Sequence, residues 1–248
     1  MKALLKLYPL AIVLAIWELA ARIGLVDPLF LPSLSGALKS LYENAELLSI
    51  DAAYSLGRAF AGLAIGASVG LLLGMLMARY RVVDQFFDPI LAAVFPTPKL
   101  ALFPLLMVWL GLGEGSKIAL VAITTFFPVV VNTYAGMRGV DKFLIWNART
   151  KGANERQMLL RVMLPAALPF IFAGVRVATS FSFLLAVAAE MLSANNGLGF
   201  RILYAQRTFE AETMYAAILV VATLGFCVDR IIGLVGRQLL AWQDTAVH

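Results

Sequence analysis

The chain alternates long apolar runs with short polar interruptions, and the runs set the first expectation. Six of them, residues 5–23, 60–78, 90–112, 118–137, 168–189 and 214–235, approach the roughly 20 residues a helix needs to cross a hydrocarbon core about 30 Å thick. None shows the period-two alternation of a barrel strand. Lipid offers the backbone no hydrogen-bond partner, so such runs must be helical. The pattern therefore predicts an all-α integral membrane protein of about six transmembrane helices, a single domain over residues 1–248.

Within the runs, small and rigid residues are placed with regularity. Gly62, Gly66, Gly70 and Gly74 recur every four positions, with Ala78 completing the series. Such a stripe lets another helix backbone approach closely, and that helix belongs either to the same subunit or to a second copy. The third run carries Pro96, Pro98 and Pro104, each removing an amide donor and bending or breaking the helix. Broken backbone at membrane depth persists where it is buried in protein or lines a cavity, so this run is either a structural kink or part of a translocation path. Between the first two runs, residues 31–49 set Leu34, Ala37, Leu38, Leu41 and Ala45 on one helical face and Lys39, Glu43 and Glu46 elsewhere. That pattern predicts an amphipathic helix on the outer surface.

Composition agrees: 61% hydrophobic and 14% charged residues exclude a water-soluble fold. The net charge of +5 would raise nucleic acid as a partner in a soluble protein. Here the cations fall in short loops between apolar runs, where they set topology, and nucleic acid is excluded. With the N-terminus inside, the inner loops and ends collect Lys2, Lys6, Arg79, Arg81, Arg138, Lys142, Arg149, Lys151, Arg156, Arg161 and Arg237, against Arg22, Lys39, Lys117, Arg201 and Arg207 outside. Both termini and residues 138–165 are thereby placed in the cytoplasm. Lys2 and Lys6 before an apolar run imitate a signal peptide, but no small-x-small cleavage site follows Trp17 and Glu18, so the first run reads as a retained span. The one cysteine, Cys227, permits no intrachain disulfide or cysteine metal site and reads as a small packing residue. Glu18, Arg58 and the neighbouring Asp229 and Arg230 read as interfacial anchors, and His248 as a solvated tail residue. No catalytic residue, metal site or bound cofactor is expected in this chain.

The loop 138–165, RGVDKFLIWNARTKGANERQMLLRVMLP, is too long and too patterned to be a connector. Asp141 can cap a helix running to Lys151, and Gly152 suits the left-handed residue that ends one. Asn154 with Gln157 three places on forms a capping box for a second helix, which Pro165 is expected to stop. The first helix would display Phe143, Leu144 and Trp146 among cations, which calls for a covering partner or the subunit's own body.

These residues resemble the cytoplasmic EAA loop of ABC importer permeases, whose signature is Glu-Ala-Ala, three residues, Gly, nine residues, Ile, one residue, Leu-Pro. Aligned on Gly152, the closing positions fall on Val162, Leu164 and Pro165 and the opening triplet on Trp146, Asn147 and Ala148, of which Ala148 alone matches. The run LPSLSGAL from Leu31, the block PKLALFPLLMVWLG from Pro98 to Gly111, Gly174-Val175-Arg176, and the segment AEMLSANNGLG from Ala189 to Gly199 resemble the branch of sulfonate, taurine, nitrate and bicarbonate permeases. The resemblance implies a type I importer fold and a dimer of permease subunits, expected here as a homodimer. It also implies two cytoplasmic ATPase subunits carrying the ATP and Mg, an external binding protein that delivers a small anionic solute, and a home in the cell inner membrane. The coupling surface it implies is carried by Phe143, Leu144, Trp146, Asn147, Ala148, Gly152, Ala153, Leu164 and Pro165.

No P-loop occurs: the run from Gly111 to Lys117 lacks the required spacing, so energy must come from another chain. Ionisable groups at membrane depth cost roughly 2.5 to 3.5 kcal/mol each, which makes Lys99, Arg176 and Glu190 candidates for the translocation path. For Lys99 the alternative is support of the broken helix, and for Arg176 snorkelling or pairing with a carbonyl. Glu190 precedes a turn built by Asn195, Asn196 and Gly197, which is either an outer gate or binding-protein contact or a plain capped loop. Two other classes compete. A secondary transporter or channel subunit not driven by ATP would show matched broken helices in both halves, and only the third run is broken. An intramembrane enzyme using Ser180 or Ser182 would need a base, and none is suitably spaced.

Overall fold

The computed structural model describes residues 8–241, and every regular element among them is helical. In chain order these are α1 (Tyr8–Arg22), α2 (Leu34–Glu43), α3 (Ala45–Arg79), α4 (Arg81–Val94), a short tight helix at Lys99–Leu102, and α5 (Phe103–Leu110). There follow α6 (Glu114–Arg138), α7 (Lys142–Thr150), α8 (Glu155–Gln157), a wide π turn at Met158–Met163, α9 (Leu164–Ser193), α10 (Leu198–Arg207) and α11 (Ala211–Leu239). Lys2, Lys6, the start of the first run and His248 lie outside the described residues. Among the described residues, four stretches are long and apolar enough to cross a bilayer, Ala45–Arg79, Glu114–Arg138, Glu155–Ser193 and Ala211–Leu239. A fifth is added if the bent pair Arg81–Val94 and Lys99–Leu110 is one span.

Two compact units are present, one running to Ser55 and resuming at Glu190–Leu224, the other comprising Leu56–Ala189 and the stretch from Gly225 onward. In the first, Trp17 Nε1 donates to the Pro32 carbonyl at 2.9 Å, its ring lies 5.5 Å from that of Tyr215, and the Tyr215 hydroxyl donates to the Phe30 carbonyl. Glu18, read from sequence as an interfacial anchor, is tied to the start of α2. Its carboxylate accepts from the Ser35 amide and hydroxyl and from Arg22, fixing the first turn of α2, which Ser33 caps through the Gly36 amide. The expected amphipathic helix is shorter than residues 31–49, because Asn44 interrupts it, and its buried face differs. Ala37 and Ser40 are buried while Leu38 is exposed. Ser40 lies within 3.3 Å of the Thr213 hydroxyl, a polar contact that hydrophobic patterning does not register.

In the second unit the glycine stripe packs against a helix of the same chain. A Cβ at Gly62 would lie 2.5 Å from Val121 Cβ, at Gly70 2.8 Å from the Phe126 carbonyl and at Gly74 2.7 Å from Thr133 Cβ, while Gly66 faces Thr125 and the Ala122 carbonyl. α3 and α6 therefore meet backbone to backbone over about three turns, the close approach that apolar surroundings reward with dispersion contact rather than hydrophobic burial. α6 meets α9 in a related way: Gly136 faces Phe170, and Gly174 lies against Asn132 and the Pro128 carbonyl. A buried cluster of Met137, Val140, Ala167 and Ile171 closes one end of this contact.

One expectation about the chain path is met and one is corrected. The run 90–112 is not one helix: α4 stops at Val94, the chain turns through Phe95–Pro98, and the following helix departs at 94°. Pro96 and Pro98 supply no amide to continue the ladder, and the break is complete rather than a kink. Conversely, Pro165 stops nothing, since a continuous helical stretch of 39 residues runs from Glu155 to Ser193. The π turn at Met158–Met163 immediately before it widens the helix where the proline ring would clash and where its missing amide would leave a carbonyl unbonded. Arg58 is likewise no interfacial anchor. It is buried, and its guanidinium grips Glu114 with Nε–Oε2 at 2.6 Å and Nη2–Oε1 at 2.7 Å. Cys227 is exposed on this chain rather than packed.

Candidate functional site

The loop 138–165 folds as its local signals demand. The Asp141 side chain accepts from the Phe143 amide and opens α7. Gly152 takes φ +79° after it, and Asn154 and Gln157 exchange both bonds of the capping box at the start of α8. Ile145 packs into the cluster of Met137 and Ala167, and Ala148 is half-buried on the same side. The opposite side of α7 presents Phe143, Leu144 and Trp146, 65%, 47% and 68% exposed, together with Asn147. Arg79 holds the loop from α3 through Glu155 at 2.7 Å, and Arg149 approaches the same carboxylate. A rigid, short helix thus stands on the body by one face and offers three large apolar groups on the other. Ala153 follows the turn half-buried, and Leu164 packs into the cluster that receives Ile145. Of the nine loop residues singled out from sequence, seven lie in or beside α7 and its turn, whereas Leu164 and Pro165 belong to the long helix.

The broken span makes a second feature. Lys99 Nζ donates to the Val94 carbonyl at 2.9 Å and to the Phe95 carbonyl, closing the frayed end of α4, and sits 4.4 Å from the centre of the Phe127 ring. Support of the break is therefore one role that the geometry gives it. Lys99 also lines a cleft of about 600 Å³ between the break, α6 and α9. Lys117 closes the next turn similarly, donating to the Leu112 and Gly113 carbonyls.

Arg176 pairs with a carboxylate. Its guanidinium binds Asp229 of α11 at 3.0 to 3.2 Å. Asp229 is therefore a partner for α9 rather than an anchor beside Arg230, whose guanidinium lies over the Phe226 ring.

Glu190, the third candidate for the path, is enclosed by protein. It is 1% exposed, and its carboxylate accepts from the Ser55 hydroxyl at 2.8 Å and the Gly199 amide at 2.9 Å. One turn earlier on α3, Asp51 accepts from the Gly197 amide at 2.7 Å and from Arg201 Nε at 2.8 Å, and Ser55 Oγ accepts from the Leu198 amide. Two carboxylates and a hydroxyl thus gather the amides that open α10, where the helix dipole favours negative charge. Gly197 takes φ +103° between them, Asn195 is exposed and Asn196 half-buried. Asp51 and Ser55 stand out nowhere in the sequence and Arg201 only as an outer cation, because their partners lie up to 150 residues away. The available signal was the presence of charge within apolar helices. Asp51→Ala strands Arg201 and the Gly197 amide together, and breaking such a buried pair costs about 3–5 kcal/mol. The expected result is a lowered unfolding temperature in detergent and new protease cleavage within residues 194–199. Wild-type protease resistance in Asp51→Ala would contradict this assignment.

Residues 51–240 match the family described as the binding-protein-dependent transport system inner membrane component. Among relatives, the chain is 34% identical over 238 residues to the putative aliphatic sulfonates transport permease protein SsuC of Bacillus subtilis, covering 95% of this chain and 86% of that one. It is 33% identical over 246 residues to the taurine transport system permease protein TauC of Escherichia coli, covering 96% and 89%. Among solved structures, an amino acid ABC transporter superposes with a TM-score of 0.67 at 16% identity, covering 80% of this chain and 97% of that one. The MetNI methionine ABC transporter in an inward-facing conformation does so with a TM-score of 0.64 at 17% identity, with the same coverage. At such identity the structural likeness speaks for the fold.

Proposed function

Because the chain belongs to the family of binding-protein-dependent transport system inner membrane components and is the membrane-spanning permease subunit of an ABC importer, we propose that α7 is the element through which partner ATPases drive it. The supporting observation is the exposed Phe143, Leu144 and Trp146 surface on a helix whose other face is anchored. In this reading two ATPase subunits bind and hydrolyse ATP with Mg, and each takes one α7 into a groove. Their closure pushes α7, and the Gly152 turn and the Arg79–Glu155 pair pass the displacement to α9 and α3. Two copies of the chain form the pore and alternate between inward and outward states. Both termini lie in the cytoplasm, as the distribution of cations favours. An external binding protein delivers the solute on the opposite side, with Asn195, Asn196 and Gly197 as its contact or as an outer gate. The solute is a small anion of the sulfonate, taurine, nitrate, bicarbonate or organic acid type, supported by the names of the relatives and by Lys99.

Gly152→Pro tests the drive. It replaces a residue at φ +79° and removes the amide that donates to the Arg149 carbonyl. Proline is locked near φ −65°, so the α7–α8 turn must re-form. The expected result is insertion into the membrane at normal levels with ATPase copurification and ATP-dependent uptake both lost. Normal copurification with normal uptake would remove the loop from the mechanism.

A further inference from the structure

A second cleft, of about 430 Å³, lies between α9 and α11. Phe172, Ala173 and Leu240 give it carbon walls, and Arg176 and Arg237 give it charge. Gly236 packs on the Phe172 ring, and a Cβ at Gly233 would meet only Arg176 Nη2, at 4.0 Å. Phe172 is thus level with Gly236, and Arg176 is level with Gly233 one helical turn deeper, about 5 Å further from the end of α11. From Arg176 a narrower cleft of about 120 Å³ continues along the same two helices, past Phe183, Val228 and Ile232. Asp229 balances the charge of Arg176. Arg237, exposed in the last turn of α11, has no hydrogen bond, ion pair or ring contact among the described residues. The groove therefore carries one uncompensated positive charge at its rim, a guanidinium one turn below it, and largely apolar walls.

At the end of a membrane span the anion at hand is a lipid phosphate, and basic pockets between such helices hold anionic headgroups. A phosphodiester supplies the single negative charge that Arg237 lacks. Its ester carbonyls follow at the depth of Arg176, and an acyl chain uses the carbon walls that a soluble anion would leave empty. A twofold contact with a second copy centred on this groove would set Arg237 against its own counterpart, two uncompensated cations. We infer that the groove between α9 and α11 holds an anionic phospholipid, its phosphate on Arg237, its ester carbonyls beside Arg176 and one acyl chain along Phe172, Phe183 and Ile232. A headgroup that carries an ammonium brings a cation of its own and leaves Arg237 unbalanced, so phosphatidylglycerol is selected over phosphatidylcholine. The inference goes beyond the permease reading and does not depend on the ATPase.

The test is native mass spectrometry of the full chain released from nanodiscs that hold phosphatidylglycerol and phosphatidylcholine in equal amounts. As collision energy rises, the last lipid retained should be one phosphatidylglycerol per chain. Arg237→Gln should lower that retention at least about fivefold, and Arg237→Lys should restore most of it. Gly233→Leu, which fills the groove beside Arg176 and leaves both arginines in place, should lower it as well, so the result does not hang on one variant. Equal retention of the two lipids by the wild type, or phosphatidylglycerol retention unchanged in both Arg237→Gln and Gly233→Leu, would overturn the inference. So would displacement of the lipid by free glycerol phosphate, since the groove is then a site for a soluble anion. A disulfide-linked dimer of Gly233→Cys formed in the membrane, in a Cys227→Ser background, would overturn it too by placing a second copy on the groove. Failure of the permease reading shows itself separately, as absence of ATP-driven uptake, which lipid retention does not require.

Discussion

Replacing Trp146 by glutamate is expected to abolish ATP-dependent uptake while leaving the chain inserted, folded and as stable as the wild type. The side chain is 68% exposed on α7, on the side opposite Ile145 and Ala148, so its loss costs the isolated chain about 0.5 kcal/mol or less. In the proposed complex the same indole is an aromatic anchor in a partner's groove. Truncating such an anchor costs about 2 kcal/mol or more, and a buried unpaired carboxylate adds to that. A loss of that size is more than tenfold in affinity for the ATPase. Copurification with the ATPase and the unfolding temperature of the chain alone therefore separate the two sides of the effect. Retained ATPase binding at unchanged stability would mean that α7 meets its partner through some other surface.

Gly70→Leu should give the opposite pattern, a chain that fails to hold together before any partner is involved. A Cβ alone would lie 2.8 Å from the Phe126 carbonyl and 3.1 Å from Val129 Cβ, so four added carbons cannot be placed without parting α3 from α6. Overpacking costs about 1–3 kcal/mol in a core that can shift. Here the obstacle is backbone, with Gly66 and Gly74 equally close on either side, and the cost should exceed that range. The measurement is the fraction of monodisperse protein after detergent extraction and its unfolding temperature. Gly57→Leu, on the same helix with open space beside it, serves as the control and should behave as wild type.

What the sequence disclosed and what it withheld divide along the range of the interactions. Asp141, Gly152 and the Asn154–Gln157 box act within a few residues of themselves, and the structure repeats them almost bond for bond. The glycine stripe announced a close-packed helix face because spacing alone defines it. Its partner could not be named, since Val121, Thr125, Val129 and Thr133 are ordinary residues for a membrane helix. The prolines were visible but their effect was not: Pro165 is absorbed by a π turn, whereas Pro96 and Pro98 separate two helices by 94°. Which outcome follows depends on neighbours, in the latter case on Lys99 closing the exposed carbonyls of α4. Glu190 stood out as a charge in an apolar run and Asp51 did not, yet both are acceptors for the amides that open α10. The apolar runs predicted membrane helices correctly in kind. The first of them is described over 15 residues, Tyr8–Arg22.

If solute moves through this chain only when a separate ATP-hydrolysing subunit acts on α7, one reconstitution decides it. Proteoliposomes carrying the chain, the external binding protein and the partner ATPase should take up solute with ATP. They should stop when the ATPase is omitted or when the chain carries Trp146→Glu. Uptake at the full rate from vesicles that contain the chain without ATPase and without ATP would contradict the account.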